Sequence, residues 1–565
     1  MVVAQPGCAA MNADIIIIGS GAGGLSAAIC LARAGKKVLV LEQHDVPGGW
    51  CHSFQLHGHR FSPGVHYIGM MGEGESTREL YEGLGVANDM VFFRMNPKAY
   101  EHCWIGEHRI DMPAGIDNLF EHLAARFPHE RKNLKRYLTT VRNVSDQLQL
   151  IHRMSGFWDH ITIPFRTRHL GKYGLFSLKR VIDWHIKDPL LKSVLNVQCG
   201  DHGLPPSLAP FPVHAAVMQH YFDGGYYPMG GGAGIVKAMT NAIKRHGGEV
   251  RTKARVKRIL VEGEGKQQRV VGVELADGER IASDVVISNA DPHKTYIGMV
   301  GCERLPAGLI KQLDRSRYSV TSIMLFVTVE MDVRAAGLDS GNIWMLRDNV
   351  DMEVLFRDMS RNDILTDDEF PAAFISCPTL KDPASFNGRH HTIEMVTYLD
   401  YKAFERFEGM EERSAEYLSW KDRIKEKMLN GLERVLPGVR AHLVHADIGT
   451  PITNEHYVQS TRGSVYGTEK SLKHVGPFAF KPKSPIEGLY LTGASTLTHG
   501  VAGASISGVI TAAQVLGCAK DDLLRPDPSQ RLRIHDSEDP TTWPEFVDVK
   551  RADRARRSGA PTTMW

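Results

Sequence analysis

The first sustained pattern in the chain is the apolar run Ile15 to Ile18 behind Asp14. Apolar residues at every position, rather than at alternate ones, predict a strand buried on both faces, as in a parallel sheet. Residues 25–34 are good helix formers and Gly35 stops them; 38–41 read as a second strand that ends at Glu42. From 118 to 195 the pattern is largely helical. Residues 226–232 form a turn that feeds a helix over 235–245. Val250 begins a short strand, and the strand signal resumes over 254–261. The runs 270–275 and 281–287, around an Asp277-Gly278 turn, predict a hairpin that returns the chain to Ser288-Asn289-Ala290. Strands over 322–329 and 392–398 and a helix over 420–435 lie in a second body. Near the end, 488–494 reads as strand then turn, followed by a small-residue helix over 503–516. After Leu524 the chain is polar and without apolar periodicity, so an extended or partly disordered tail is expected.

The chain leaves its first sheet and comes back to it twice, and its 565 residues are too many for one compact core. The predicted class is α/β: a Rossmann-type dinucleotide domain interleaved with an α+β substrate domain. The first is expected in three parts, 11–75, 226–298 and 481–522. Between them lie a helical, membrane-facing substrate region over 76–225 and the main substrate domain over 299–480. The tail covers 523–565. A net charge of +2 gives no reason to expect a nucleic-acid partner. The cysteines lack C-x-x-C spacing, so no disulfide framework or zinc site is predicted, and a reduced, cytoplasmic chain is expected. No export signal is legible in 1–11, and no run reaches the about 18 apolar residues that span a bilayer.

The chemistry starts where the first strand ends. Gly19-Ser20-Gly21-Ala22-Gly23-Gly24 is a G-x-G-x-x-G turn between strand and helix. Gly19 permits the turn, Gly21 lets a pyrophosphate approach the backbone, and Gly24 lets the helix pack on the strand. The helix N-terminus offers free N–H groups and a positive dipole end to that pyrophosphate. Glu42 closes the second strand where an acid accepts hydrogen bonds from a ribose, which disfavours NADP in this site. Pro47-Gly48-Gly49 lets a loop pass close to the dinucleotide, and the closing Gly493-Ala494 turn with its helix can meet a flavin ring. The cofactor expected is therefore FAD. Its candidate contacts are Gly19, Ser20, Gly21, Ala22, Gly23, Gly24, Glu42, Gln43, Gly48, Gly49, Val256, Gly493, Ala494, Val501 and Ala502. His52, His57, His59 and His66 cluster in sequence without a zinc spacing, so no metal is expected.

Further strings carry a family likeness. Glu42-Gln43-His44, Gly48-Gly49, Cys51-His52-Ser53-Phe54, Phe61, Gly64 and His66-Tyr67-Ile68-Gly69 are followed by His220-Tyr221, Gly224-Gly225, Tyr227-Pro228 and Gly230-Gly231. Near the end come Pro451, Thr453-Asn454, Tyr457, Arg462-Gly463, Tyr466-Gly467 and Leu489-Tyr490-Leu491-Thr492-Gly493. Over about residues 13–517 the sequence resembles the retinol saturase and carotenoid isomerase branch of the phytoene-desaturase-like flavoproteins. The resemblance implies a glutathione-reductase-like FAD domain and an oxidoreductase acting on C=C bonds of a long apolar polyene, a retinoid or carotenoid. It points first to saturation, with NAD(P)H as an external electron donor. Desaturation and cis–trans isomerisation are the alternatives, and a non-catalytic flavin- or lipid-binding protein is the alternative of another class. One departure bears on the direction: the saturase-like string continues Gln-Asp after Thr492-Gly493, and here Ala494-Ser495 stand there.

The candidate proton-handling residues are His66, Tyr67, Tyr221 and His499. Residues 158–184, from Trp158 to Trp184, mix apolar side chains with Arg166, Arg168, Lys172, Lys179 and Arg180. Such a stretch reads either as a peripheral contact with the inner face of a membrane or as an amphipathic lid. Oligomeric state is not legible.

Overall fold

The computed structural model describes residues 13–153, 162–163, 165–348, 351–410 and 414–558. Its nucleotide domain is built on a five-stranded sheet ordered Leu489–Leu491, Val286–Ser288, Ile15–Ile18, Val38–Leu41, Glu249–Arg251. Every neighbouring pair is parallel. The chain thus contributes to this sheet on three separate visits, and its fold is the mixed α/β architecture expected. The central strand is buried on both faces. Ile15 and Ile17 join the core around helix Ala22–Arg33, whereas Ile16 and Ile18 join the core of a small antiparallel sheet. Full burial of one such side chain contributes about 1.5–3 kcal/mol, so this strand alone commits the chain to a two-sided environment.

That antiparallel sheet is Val256–Glu262, Arg269–Leu275 and Arg280–Ala282. The expected hairpin arm 281–287 is divided: Arg280–Ala282 pairs within the hairpin, and Val286–Ser288 crosses into the parallel sheet. An unbroken apolar pattern could not reveal the break, because both sheets bury their strands.

The second body is a seven-stranded sheet ordered Leu443–Gly449, Thr321–Val329, His391–Leu399, Ala372–Ser376, Asn342–Leu346, Glu101–Ile105, His108–Met112. Along its strands the two-residue period separates two cores. Ile323, Leu325 and Val327 face helix Ala415–Val435, whereas Met324 and Phe326 face the helical region that includes Phe211–Tyr221. The stretch 76–225 is therefore not helical throughout, since it supplies the last two strands at one side of this sheet.

The tail also departs from expectation. Arg533–Asp536 pairs in parallel with Val91–Arg94, and helix Glu545–Ser558 buries Val547 against Val91, Phe93 and Ala384. The tail lacks periodicity because only a few of its side chains bury; backbone hydrogen bonds to an existing strand order the rest. Among the described residues no helix is long and apolar enough to cross a membrane.

Candidate functional site

A cavity of about 830 Å³ opens at the carboxyl end of the parallel sheet, where α/β folds bind their ligands. Its walls come from all three visits of the chain. Gly19, Ser20, Gly21, Ala22 and Gly23 line it, with Glu42, Gln43, Gly48, Gly49, Val256, Gly493, Ala494 and Val501. Two of the sequence candidates lie outside that lining, Gly24 and Ala502. Gly24 has the packing role its motif position requires: a Cβ there would stand 2.2 Å from the Gly19 carbonyl oxygen.

The cradle is built for a close backbone approach. A Cβ on Gly23 would meet Asn289 Oδ1 at 2.7 Å and the Gly493 backbone at 2.9 Å. The opening and closing glycine turns thus touch one another. Helix Gly500–Leu516 follows the closing turn and lies directly on helix Ala22–Arg33; a Cβ on Gly508 would sit 2.1 Å from the Gly23 carbonyl. Two helix N-termini, at Ala22 and Gly500, border one cavity. Together they add a positive potential to that of Arg255, Lys257 and Lys294, which also line the cavity.

Glu42 ties this cradle together. Its Oε2 accepts the Ser20 N–H (3.0 Å) and the Ser20 hydroxyl (2.6 Å), and its Oε1 accepts the His44 N–H at 2.9 Å. The Gly48 N–H in turn donates to Ser20 Oγ at 2.9 Å. The acid therefore holds both glycine loops in register and still lines the cavity.

Asn289 was not among the sequence candidates. Its Oδ1 is buried and has no hydrogen-bond donor. A buried acceptor of this kind costs about 1–3 kcal/mol unless a ligand satisfies it. The only sequence signal was the return of the chain to the first sheet at Ser288-Asn289-Ala290. The glycine cradle, the two helix N-termini, the acid and the orphan acceptor fit a dinucleotide.

The proton-handling candidates stand beyond this cavity, against the substrate sheet. Tyr67 stacks on Tyr221, with ring centroids 4.1 Å apart and planes 7° from parallel, and the Gly69 N–H donates to His220 Nε2 at 2.9 Å. Two of the family strings, far apart in sequence, are thus one local structure. The Tyr67 hydroxyl oxygen lies 2.6 Å from Glu101 Oε1 and 2.9 Å from Asp201 Oδ2. Trp344 Nε1–H and Gln198 Nε2–H donate to Glu101 as well, at 2.9 and 3.1 Å. Burial raises both acids, and the Glu101 charge adds to the rise at Asp201. Neither acid was foreseen, because what marks them is their convergence from distant parts of the chain.

His66 is engaged elsewhere. Its Nδ1 is 3.1 Å from Glu394 Oε2, a fully buried carboxylate whose other oxygen accepts the Ser62 N–H at 2.6 Å. Its carbonyl accepts from buried Lys381 at 2.8 Å. His499 precedes helix Gly500–Leu516, and its Nε2 meets the Asp201 carbonyl at 2.9 Å. Burial pushes the imidazole down to about 4, so it is neutral near pH 7. Tyr466 lines the cavity and donates to the Gly200 carbonyl at 2.8 Å. His499 and Tyr466 thus join the closing end of the cavity to the segment that carries Asp201.

A three-part parallel sheet, a dinucleotide cradle and a second domain on a mostly antiparallel sheet define a flavin-dependent oxidoreductase fold. The model of the family described as flavin containing amine oxidoreductase matches residues 22–516, and the chain belongs to that family. It is an FAD-dependent oxidoreductase. The chain is 28% identical over 527 residues to an all-trans-retinol 13,14-reductase of Danio rerio, covering 89% of this chain and 86% of the relative. It is 25% identical over 523 residues to the chloroplastic prolycopene isomerase of Arabidopsis thaliana, covering 89% and 82%. Among solved structures, an oxidoreductase from Methanosarcina mazei matches with a TM-score of 0.60 at 18% identity, covering 89% of this chain and 99% of that one, which supports the fold.

Proposed function

We propose that this protein saturates a double bond of a retinoid or a related conjugated polyene. The observation that carries the reading is the nearly full-length similarity to all-trans-retinol 13,14-reductases, which covers the substrate domain as well as the nucleotide domain. Bound FAD, once reduced, supplies a hydride to one carbon of the double bond. The cradle Gly19–Gly24, Glu42, Gly48-Gly49, Val256 and the closing Gly493-Ala494 segment hold that cofactor. The polyene would lie beside the buried aromatic cluster of Tyr67, Tyr221, Trp344 and Phe374, which would keep water from it. The cluster of Tyr67 with Glu101 and Asp201 supplies the proton that completes saturation, and Tyr221 positions the Tyr67 ring. An NAD(P)H-type donor reduces the flavin from outside.

The test is anaerobic incubation of the reduced holoprotein with all-trans-retinol, followed by mass spectrometry. A product heavier by two hydrogens is expected. Loss of two hydrogens in a parallel incubation with the oxidised holoprotein would indicate desaturation, and an isomer of unchanged mass would support the second reading. That reading, isomerisation of a carotenoid, is favoured by the similarity to prolycopene isomerases.

An apolar substrate of this kind is supplied from lipid, and we extend the proposal to its entry. Within 158–184, Trp158 and Ile161 lie outside the described residues. Phe165 and Leu175 are each 83% exposed and Trp184 is 48% exposed. Arg180 lies over the rings of both Phe176 and Trp184. Exposed apolar side chains beside Arg166, Arg168 and Lys172 match an anionic membrane surface. Vesicles containing phosphatidylserine should sediment the wild-type protein. The double variant Phe165→Glu, Leu175→Glu should stay in the supernatant with its FAD content unchanged; equal sedimentation would remove the patch from the account.

A further inference from the structure

The Tyr67 hydroxyl stands between two buried carboxyl groups, and it has one proton to give. Oxygen–oxygen distances of 2.6 and 2.9 Å are both hydrogen bonds, so one of the two contacts must draw its proton from an acid. Which acid is decided by the remaining partners. Glu101 accepts from Trp344 Nε1–H and Gln198 Nε2–H in addition to Tyr67, a donor set suited to a carboxylate. For Asp201, Tyr67 is the one side-chain hydrogen-bond partner among the described residues.

We propose that Asp201 is held as a neutral carboxylic acid that donates to the Tyr67 oxygen, and that it is the source of the proton added to the substrate. The chain of donation runs from Asp201 to Tyr67 to Glu101, so the pair of acids carries a single negative charge. The groups facing Asp201 agree with this. They are Tyr67, Tyr100, Tyr221, Tyr398, Tyr466, Cys199 and Glu101, with the adjoining His202 and His499, whose imidazoles burial keeps neutral. Two full charges so close in a medium of low dielectric would repel strongly.

The position suits a donor. Asp201, Tyr398, Tyr466 and His499 are each half-buried. Tyr466 belongs to the wall of the cofactor cavity, and its hydroxyl is 3.0 Å from that of Tyr398. The neighbouring His499 is neutral near pH 7 and its Nδ1 carries no proton partner, so it does not compete as an acid.

The reaction balances with the NAD(P)H-type donor as the source of the two electrons. Bound FAD, once reduced, would supply the hydride of one new C–H bond. The other forms as the Asp201 O–H bond breaks, and Asp201 is left as a carboxylate. Water reprotonates it before the next turnover, restoring the singly charged pair.

The catalytic half of this inference rests on the saturase reading; the protonation half does not. Infrared spectroscopy at pH 8 of FAD-loaded protein carrying 13C-labelled aspartate should show the C=O stretch of a protonated aspartic acid. Burial raises Asp382 to about 6, so that acid is ionised at this pH. The band should be missing in Asp201→Asn. In Tyr67→Phe, which removes the acceptor oxygen, it should persist at a shifted frequency; this variant keeps the test open if Asp201→Asn does not fold. With all-trans-retinol, Asp201→Asn should accept electrons into FAD at the wild-type rate and form product at least about a hundredfold more slowly. No band in the wild type, a band that survives in Asp201→Asn, or wild-type product formation by that variant would each overturn the proposal. A wild-type protein inert toward retinol counts against the substrate reading, and the infrared result then decides on Asp201 alone.

Discussion

At the residue scale, Glu42 does more than an acid that only meets a ribose. It satisfies two donors of Ser20 and the His44 N–H, so its loss loosens the protein's own loops as well as a ligand contact. A hydrogen bond to a charged group contributes about 1.5–3 kcal/mol. Glu42→Ala should therefore weaken FAD binding by roughly ten- to a hundredfold. Glu42→Gln keeps an acceptor oxygen and should lose less. Equal loss in the two variants, measured by FAD titration of the apoprotein, would remove the hydrogen-bond explanation. Lys470 offers a second residue-scale test. It is buried, and its Nζ donates to the Ala494 carbonyl at 2.6 Å. Burial pulls it down to about 7, whereas an unfolded lysine titrates near about 10.4. Between those values the unfolded chain binds the extra proton, so stability from this group rises with pH from 7 upward and is lowest below 7. Relative to Lys470→Met, the wild type should gain about 1.4 kcal/mol per pH unit between pH 7 and 9 in urea unfolding. A flat difference would mean that Lys470 keeps its charge in the folded protein.

At the element scale, the site depends on how closely two helices approach. Gly508 brings helix Gly500–Leu516 onto Gly23, so both N-termini reach the same cavity. Gly508→Val would put its Cβ where the Gly23 carbonyl stands; forcing such a contact costs typically about 1–3 kcal/mol. The variant should melt lower and lose FAD before it unfolds, as followed by flavin fluorescence alongside circular dichroism. Unfolding with FAD release at the wild-type temperature would show that the helices need no such approach. These elements also show what a sequence can reveal. The opening strand, glycine turn, helix and acid are local and contiguous, so their chemistry was legible. The small-residue helix at the end was legible as a helix, but the single contact that gives it meaning, Gly508 against Gly23, joins opposite ends of the chain. Asn289, Glu101 and Asp201 were missed for the same reason. Each looks ordinary in its own segment and acquires a role only from residues that the fold brings to it. The tail was misjudged because its order comes from the strand Val91–Arg94, not from any pattern of its own.

At the scale of the whole molecule, the nucleotide domain and the seven-stranded substrate domain meet where the chain passes between them. Gly493 and His499 come from the closing segment, Asp201 and Tyr221 from the helical region, Tyr67 from the first loop, and Trp344 from the substrate sheet. The proposed reduction of a double bond would use these together: an electron donor held in the cradle, an apolar chain beside the aromatic cluster, and Asp201 as the acid. The most direct measurement is a single anaerobic turnover in which FAD reduced beforehand is mixed with all-trans-retinol, the flavin spectrum and the retinoid being followed together. The account predicts that flavin reoxidises as the double bond is lost, one mole of saturated product for each mole of flavin. Product isomerised while the flavin stays reduced, or reoxidation with no change in the retinoid, would contradict it.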